Sequence, residues 1–273
     1  MPEATSVGRA ERSAARGTLV ELAGASKTYR TVSRTDIAAL EPTHLLVEEG
    51  EFIGVVGPSG CGKTTLLNLV AGLLQPTTGE INFRGARMTG PSREIGVVFQ
   101  RPVLLPWRRI IDNVLLPVEV MGLSPKAKYE QRARELLALV GLAGFENTYP
   151  QELSGGMQQR AAIARALVYD TALLLMDEPF AALDALTREE MNMELLRIWQ
   201  LTGKTIVFVT HNIPEAVLLS DRIVVMTPRP GRVREIIDVD LPRPRSLSLL
   251  GDRRFGELTD HIRSLFNAAA KPA

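Results

Sequence analysis

The chain has a single cysteine, Cys61, among its 273 residues, which excludes an internal disulfide framework and any multi-cysteine metal site. No apolar stretch approaches the roughly 18 residues that cross a bilayer, so contact with a membrane has to come through a partner. Charge of one sign is not in excess either: 32 Lys and Arg against 31 Asp and Glu leave a formal net charge of +1. That balance gives no electrostatic reason to expect nucleic acid or an anionic surface as partner. No internal repeat occurs, and no heptad run is long enough for a coiled-coil arm. Residues 1–17 carry arginines and small residues without periodicity and without the apolar segment of a secretory signal, so they are expected to be a disordered leader.

What the chain does have is Gly57-Pro58-Ser59-Gly60-Cys61-Gly62-Lys63-Thr64-Thr65. The apolar run Phe52 to Val56 before it reads as a buried strand, and Leu66 to Val70 after it continues at helical spacing. Strand, glycine loop and helix together turn a G-x-x-x-x-G-K-[ST] pattern into a phosphate site. Glycines let successive N–H groups converge on one anion, and the helix start adds to the field. Lys63 is placed to reach the β and γ phosphates, and the Thr64 hydroxyl to ligate Mg²⁺.

Around this loop the chain opens with strand-like segments. Leu19 to Leu22 alternates, Tyr29 closes that strand, and Thr43 to Val47 reads as another. Glu80 to Phe83 and Ile95 to Phe99 follow. Pro102, Pro106 and Pro117 then break up residues 101–117, and Lys126 to Val140 is apolar at helical spacing, so an all-helical insert is expected over about 101–165. Strands at Ala172–Met176, Thr205–Thr210 and Arg222–Met226 alternate with helices at Thr187–Leu201 and Pro214–Leu219. Val233 to Val239 is strand-like, and an amphipathic helix over Arg253–Phe266 closes a tail, residues 241–273.

Two further stretches carry chemistry. Leu173 to Met176 is a strand that ends on Asp177, where a carboxylate stands beside the Mg²⁺ of a phosphate-loop protein; Glu178 is the candidate general base. Such strand-end carboxylates also serve as solvated groups or caps. Ser154 is an N-cap residue opening a helix whose first turn is Gly155-Gly156. Glycines there cost about 1 kcal/mol each relative to Ala, which fits either a loop needing freedom or a second place where bare backbone meets phosphate.

The order Gly57–Thr65, Gln100, Leu153–Gln158, Leu173–Glu178, Ala182-Leu183-Asp184, His211 resembles the ATP-binding cassette (ABC) ATPases, from Leu19 to about Met226. Phe99 to Arg108, Pro228 to Arg232 and Asp240 to Arg245 look most like the ATPase subunits of nitrate, sulfonate and taurine importers. The resemblance implies an α/β fold: a RecA-like core with an antiparallel β subdomain and the helical insert, a cassette domain over about 18–240. It implies ATP and Mg²⁺ as cofactors and a head-to-tail dimer with a second copy. Ser154, Gly155, Gly156 and Gln158 of one chain would close over nucleotide held by Gly57–Thr65 of the other. Position by position, Tyr29 would stack on adenine, Gln100 would approach Mg²⁺ and the attacking water, His211 would bond the γ-phosphate, and Asp184 would shape the dimer interface. Integral-membrane permease subunits are the implied partners, with a substrate-binding protein acting indirectly and the chain at the cytoplasmic face.

Some readings stay open on sequence alone. Tyr29 either stacks on a base or packs on the core. Trp107, in Leu105-Pro106-Trp107-Arg108, either docks the permease or anchors the insert. Cys61 reads as a tolerated small residue whose thiolate is expected to be favoured by Lys63 and the helix start. A cassette protein acting on DNA or the ribosome is the alternative, but such proteins usually carry coiled coils, zinc modules or a second cassette.

Overall fold

A computed structural model describes residues 17–30, 35–228 and 230–269. All of the leader except Gly17, together with Arg229 and residues 270–273, lies outside the described residues.

Two sheets organise the described residues. The first joins β1 (Thr18–Arg30), β2 (Asp36–Glu48), β4 (Thr78–Phe83) and β5 (Ala86–Arg87) in the order β2-β1-β4-β5, every pair antiparallel. The second, six-stranded, has the order β10-β9-β3-β8-β7-β6, from β3 (Phe52–Val56), β6 (Ile95–Val98), β7 (Leu173–Asp177), β8 (Thr205–Thr210), β9 (Arg222–Met226) and β10 (Val233–Asp238). Its strands run parallel except β10, which pairs antiparallel with β9.

The parallel strands are continuous apolar runs because both faces are covered. Phe52, Val56, Leu174, Met176, Ile206, Phe208, Ile223 and Val225 point into one hydrophobic cluster. Their alternates Ile53, Val55, Leu173, Leu175, Val207, Val209, Val224 and Met226 point into a second, shared with β1, β2, β4 and helix α1 (Lys63–Val70). The first cluster continues without a break into the insert, α2 (Ile110–Val120), α3 (Lys126–Leu139) and α4 (Gly155–Leu167), through Ile110, Val114, Leu136, Leu137, Ala161 and Ile163. It also takes in α5 (Ala185–Thr202), α6 (Ile213–Leu219) and α7 (Arg253–Ala269).

Two elements exceed what the sequence pattern outlines. β2 begins at Asp36 rather than Thr43, because pairing with β1 carries its exposed first residues along. The segment expected to be broken by prolines instead contains α2, which runs through Pro117. Proline removes one backbone donor from that helix, but Ile110, Ile111, Val114 and Val118 bury its apolar face and hold it.

The tail is packed. Phe255 and Ile262 are buried in the first cluster, with Leu258, Leu265 and Phe266 against it, so one stripe of α7 at helical spacing faces the body. Ahead of it, Arg245 is 3% exposed and donates to the carbonyls of Val217, Leu218, Ser220 and Val239, closing the C-terminal end of α6. Burial lowers its pKa to about 10, so it is charged at neutral pH. Arg243 binds Asp221 and lies 4.1 Å from the centre of the Trp199 ring.

Candidate active site

Four loops leave the C-terminal ends of adjacent parallel strands, the edge at which open α/β sheets bind ligands. Gly57 follows β3, His211 follows β8, Asp177 ends β7, and Gln100 lies two residues beyond β6. The register sets them side by side: Val56 pairs with Thr210, Asp177 with Val209, and Val98 with Met176.

The phosphate loop is held partly from outside. Gly62 caps α1 with φ of 97°, and a Cβ there would stand 2.7 Å from the Ala39 carbonyl oxygen of β2. Gly231 approaches more closely still: its Cβ would fall 2.0 Å from the Cys61 carbonyl oxygen. Backbone bonds from Gly231 N to Ala39 O (3.2 Å) and from Glu41 N to Gly231 O (2.7 Å) complete the clasp. Tyr29 is 39% exposed and pairs with Ile37, and Lys27 Nζ lies 5.6 Å from the centre of its ring.

Inside the loop, Lys63 Nζ donates to the carbonyls of Gly57 (2.8 Å) and Pro58 (3.1 Å) and stands 3.6 Å from Glu178 Oε1. Thr64 Oγ1 donates to Asp177 Oδ2 at 3.0 Å. Burial raises the Asp177 carboxyl above the usual carboxylate range, opposed by the Thr64 bond and reinforced by Glu178. Glu178 has φ of 44°, a left-handed backbone that costs a non-glycine residue of order 1–3 kcal/mol and clusters at functional sites. Its N–H bonds Val209 O, and its Oε2 lies 2.9 Å from His211 Nδ1. Lys63, Thr64, Asp177, Glu178 and His211 are thus brought together as a contact chain.

Other expected residues are placed differently. Pro58 and Thr65 are half-buried, whereas Ser59 and Gly60 are exposed at the loop's rim. Gln100 is exposed at its strand end and enters no contact of that chain. Ser154 Oγ caps α4 by accepting from Met157 N, leaving Ser154 and Gly155 exposed. Gly156 faces Thr187 and Leu183, so this turn adjoins the start of α5, where Asp184 accepts from Thr187 N. That bond holds the Asp184 carboxyl below the usual range. Gln158 donates its side-chain amide to the carbonyls of Pro150 and Leu153, fixing the preceding loop.

Cys61 requires a correction. Its thiol is fully buried beneath Gly57, and burial pushes its pKa up more strongly than nearby Lys63 lowers it. The thiol form, not the expected thiolate, is favoured. Trp107, by contrast, is 72% exposed, which removes the reading of a buried anchor.

A family model described as ABC transporter matches residues 40–181. An uncharacterized ABC transporter ATP-binding protein of Methanocaldococcus jannaschii is 50% identical over 231 residues, 85% of this chain and 84% of the relative. The chain belongs to the ABC transporter family. It is an ABC-type ATPase, with a RecA-like core, an antiparallel β subdomain and an inserted helical subdomain. The aliphatic sulfonates import ATP-binding protein of Bacillus cereus is 46% identical over 228 residues, covering 83% of this chain and 88% of that one. A dimeric structure of a post-hydrolysis state of an ATP-binding cassette bound to ADP and Pi matches with a TM-score of 0.72 at 35% identity, covering 82% of this chain and 100% of the cassette. Among the described residues of the ABC chain, no helix is long and apolar enough to cross a membrane.

Two features were only partly legible in the sequence. Gly231 stood in the string Pro228 to Arg232, but its press on the phosphate loop gave no local signal, because it arises from a close approach between segments distant in sequence. The turn Thr210 to Glu215 did carry a signal: Asn212, then Pro214 and Glu215, is a helix start.

Proposed function

We propose that this ATPase energises a membrane importer for a small sulfonate-type anion, docking on a separate permease and working as a head-to-tail dimer. The observation that carries the ATPase site is the contact chain of Lys63, Glu178 and His211 at the mouth of the phosphate loop. In this reading the loop N–H groups from Gly57 to Thr65 and Lys63 hold the β and γ phosphates, and Tyr29 stacks on adenine. Glu178 accepts the proton of the attacking water while His211 bonds the γ-phosphate, so catalysis is mostly positioning and charge stabilisation.

The Thr64 hydroxyl and the Asp177 carboxylate are hard oxygen donors 3.0 Å apart, and desolvation of the half-buried carboxylate is not fully offset, a donor set that fits Mg²⁺. Bound there, with Gln100 at its rim, the ion would neutralise phosphate charge. Ser154, Gly155 and Asp184 are exposed around the buried Gly156, a face suited to closing over the nucleotide of a second copy.

Trp107, Arg108, Arg109, Asp112, Glu119 and Tyr149 line a groove of about 300 Å³. An exposed aromatic among charges is suited to permease docking. Import of sulfonates follows the names of the relatives, and nitrate is the neighbouring anion. The experiment is genetic. Deleting the gene should abolish growth on taurine or an alkanesulfonate as sulfur source, and the wild-type gene should restore it while Glu178→Gln does not. Undisturbed growth on both sulfur sources would overturn the solute class.

A further inference from the structure

His211 sits in a turn whose backbone is closed by three hydrogen bonds. Glu215 N donates to Asn212 Oδ1 at 3.1 Å, Asn212 N donates to Thr210 Oγ1 at 3.0 Å, and Thr210 Oγ1 donates to Glu215 Oε2 at 2.5 Å. The ring encloses the peptide units on both sides of His211. In an ordinary capping box, the carboxylate at the third helical position bonds the N–H of the cap residue directly. Here Glu215 holds that third position and Asn212 is the cap, but the Thr210 hydroxyl is inserted between them. Helix α6 does not need this insertion for its own start. What the insertion adds is a tie to the residue before His211.

Glu215 is also more buried than a capping carboxylate needs to be, at 6% exposed, and stands against Asn192, 4% exposed, across a cavity of about 120 Å³. Among the described residues, neither Glu215 Oε1 nor Asn192 Oδ1 has a hydrogen-bond partner within 3.5 Å, so Asn192 acts on the carboxyl as a neighbouring amide rather than through a full bond. Arg188 lines the same cavity and donates to the carbonyls of Phe180 and Leu183, in the loop that follows Glu178. The Glu215 carboxylate therefore stands between the turn carrying His211 and the anchor of the loop that follows Glu178.

We propose that Thr210 and Glu215 are positioning residues for the hydrolytic step, holding His211 in register with Glu178. The proposal rests on the reading of His211 as the γ-phosphate contact. Nucleotide binding depends on the phosphate loop and is independent of this ring, so its loss lowers kcat and leaves ATP affinity alone.

The test uses the full-length chain, with Mg·ATP turnover, ATP affinity by equilibrium dialysis and Tm measured on each variant. Thr210→Val removes the hydroxyl at nearly constant volume and should lower kcat about tenfold or more, since small misplacements of catalytic groups carry penalties up to about 100-fold. ATP affinity should stay within about twofold, and Thr210→Ser should recover most of the lost kcat. Wild-type kcat in Thr210→Val, a parallel loss of ATP affinity, or failure of Thr210→Ser to recover activity would each overturn the proposal. His211→Ala separates the two readings: full activity in that variant removes the role of His211 itself, whereas an impaired His211→Ala beside an unimpaired Thr210→Val removes only the ring.

Discussion

Glu178 lies within reach of both a cation and an imidazole, on a left-handed backbone of the kind that clusters at functional sites. Glu178→Gln keeps size and hydrogen-bonding reach but cannot accept a proton, so kcat should fall at least about 100-fold while ATP still binds. Phosphate release and nucleotide binding, measured side by side, check it. Near-normal turnover would remove Glu178 as base. At Cys61 the balance runs the other way, because desolvation outweighs the nearby ammonium. Maleimide labelling at neutral pH should be at least about tenfold slower in the native chain than in guanidinium, with or without ATP. That Lys63, Thr64, Asp177 and Glu178 would converge was legible in the sequence, because a glycine loop after one strand and carboxylates at the end of another share an edge of a parallel sheet. The protonation of Cys61 was not, since it depends on burial that no local pattern encodes. Glu215 adds a pH dependence. Burial raises its carboxyl pKa, with Thr210, Arg188, Asn192 and His211 lowering it in part. The folded chain thus holds that proton more tightly than the unfolded one, and stability falls as pH rises through the folded-state value. Glu215→Gln should accordingly raise Tm at pH 8 and have little effect at pH 4, which thermal melts at both pH values would show.

Among elements, the parallel strands were the most readable, since two covered faces leave nothing but apolar residues between turn signals. α2 was the least, because prolines argue locally for a break while the burial of Ile110, Val114 and Val118 decides the matter at long range. The tail shows the same division. Its amphipathic helix was legible from spacing, but its attachment through Arg245 was not, because four carbonyl partners converge there only in the fold. Arg245→Met should take this donor from the Val217, Leu218 and Ser220 carbonyls, while Val239 O keeps its bond from Leu241 N, and destabilise the chain by about 3 kcal/mol or more, given about 1–3 kcal/mol for each buried group left without a partner. Denaturant unfolding would register this as a lower midpoint at unchanged m-value.

At the scale of the whole molecule, the Ser154 turn and the phosphate loop pose a question one chain does not answer, for Ser154 and Gly155 are exposed beside the Asp184 helix start. With Mg·ATP, Glu178→Gln should elute as a dimer in size-exclusion chromatography, and Lys63→Ala as a monomer. Adding Ser154→Arg to Glu178→Gln should restore the monomer by obstructing the face that closes on the partner. A monomeric Glu178→Gln at saturating ATP would count against head-to-tail closure. The clasp at Gly231 has a consequence of another kind, for modularity. The stretch that matches the family model ends at residue 181, yet the wall pressing on the Cys61 carbonyl comes from Gly231 and the imidazole facing Glu178 from His211. The nucleotide grip is therefore not portable. Transplanted without the last third of the chain, the phosphate loop keeps its letters and loses the mould that shapes it.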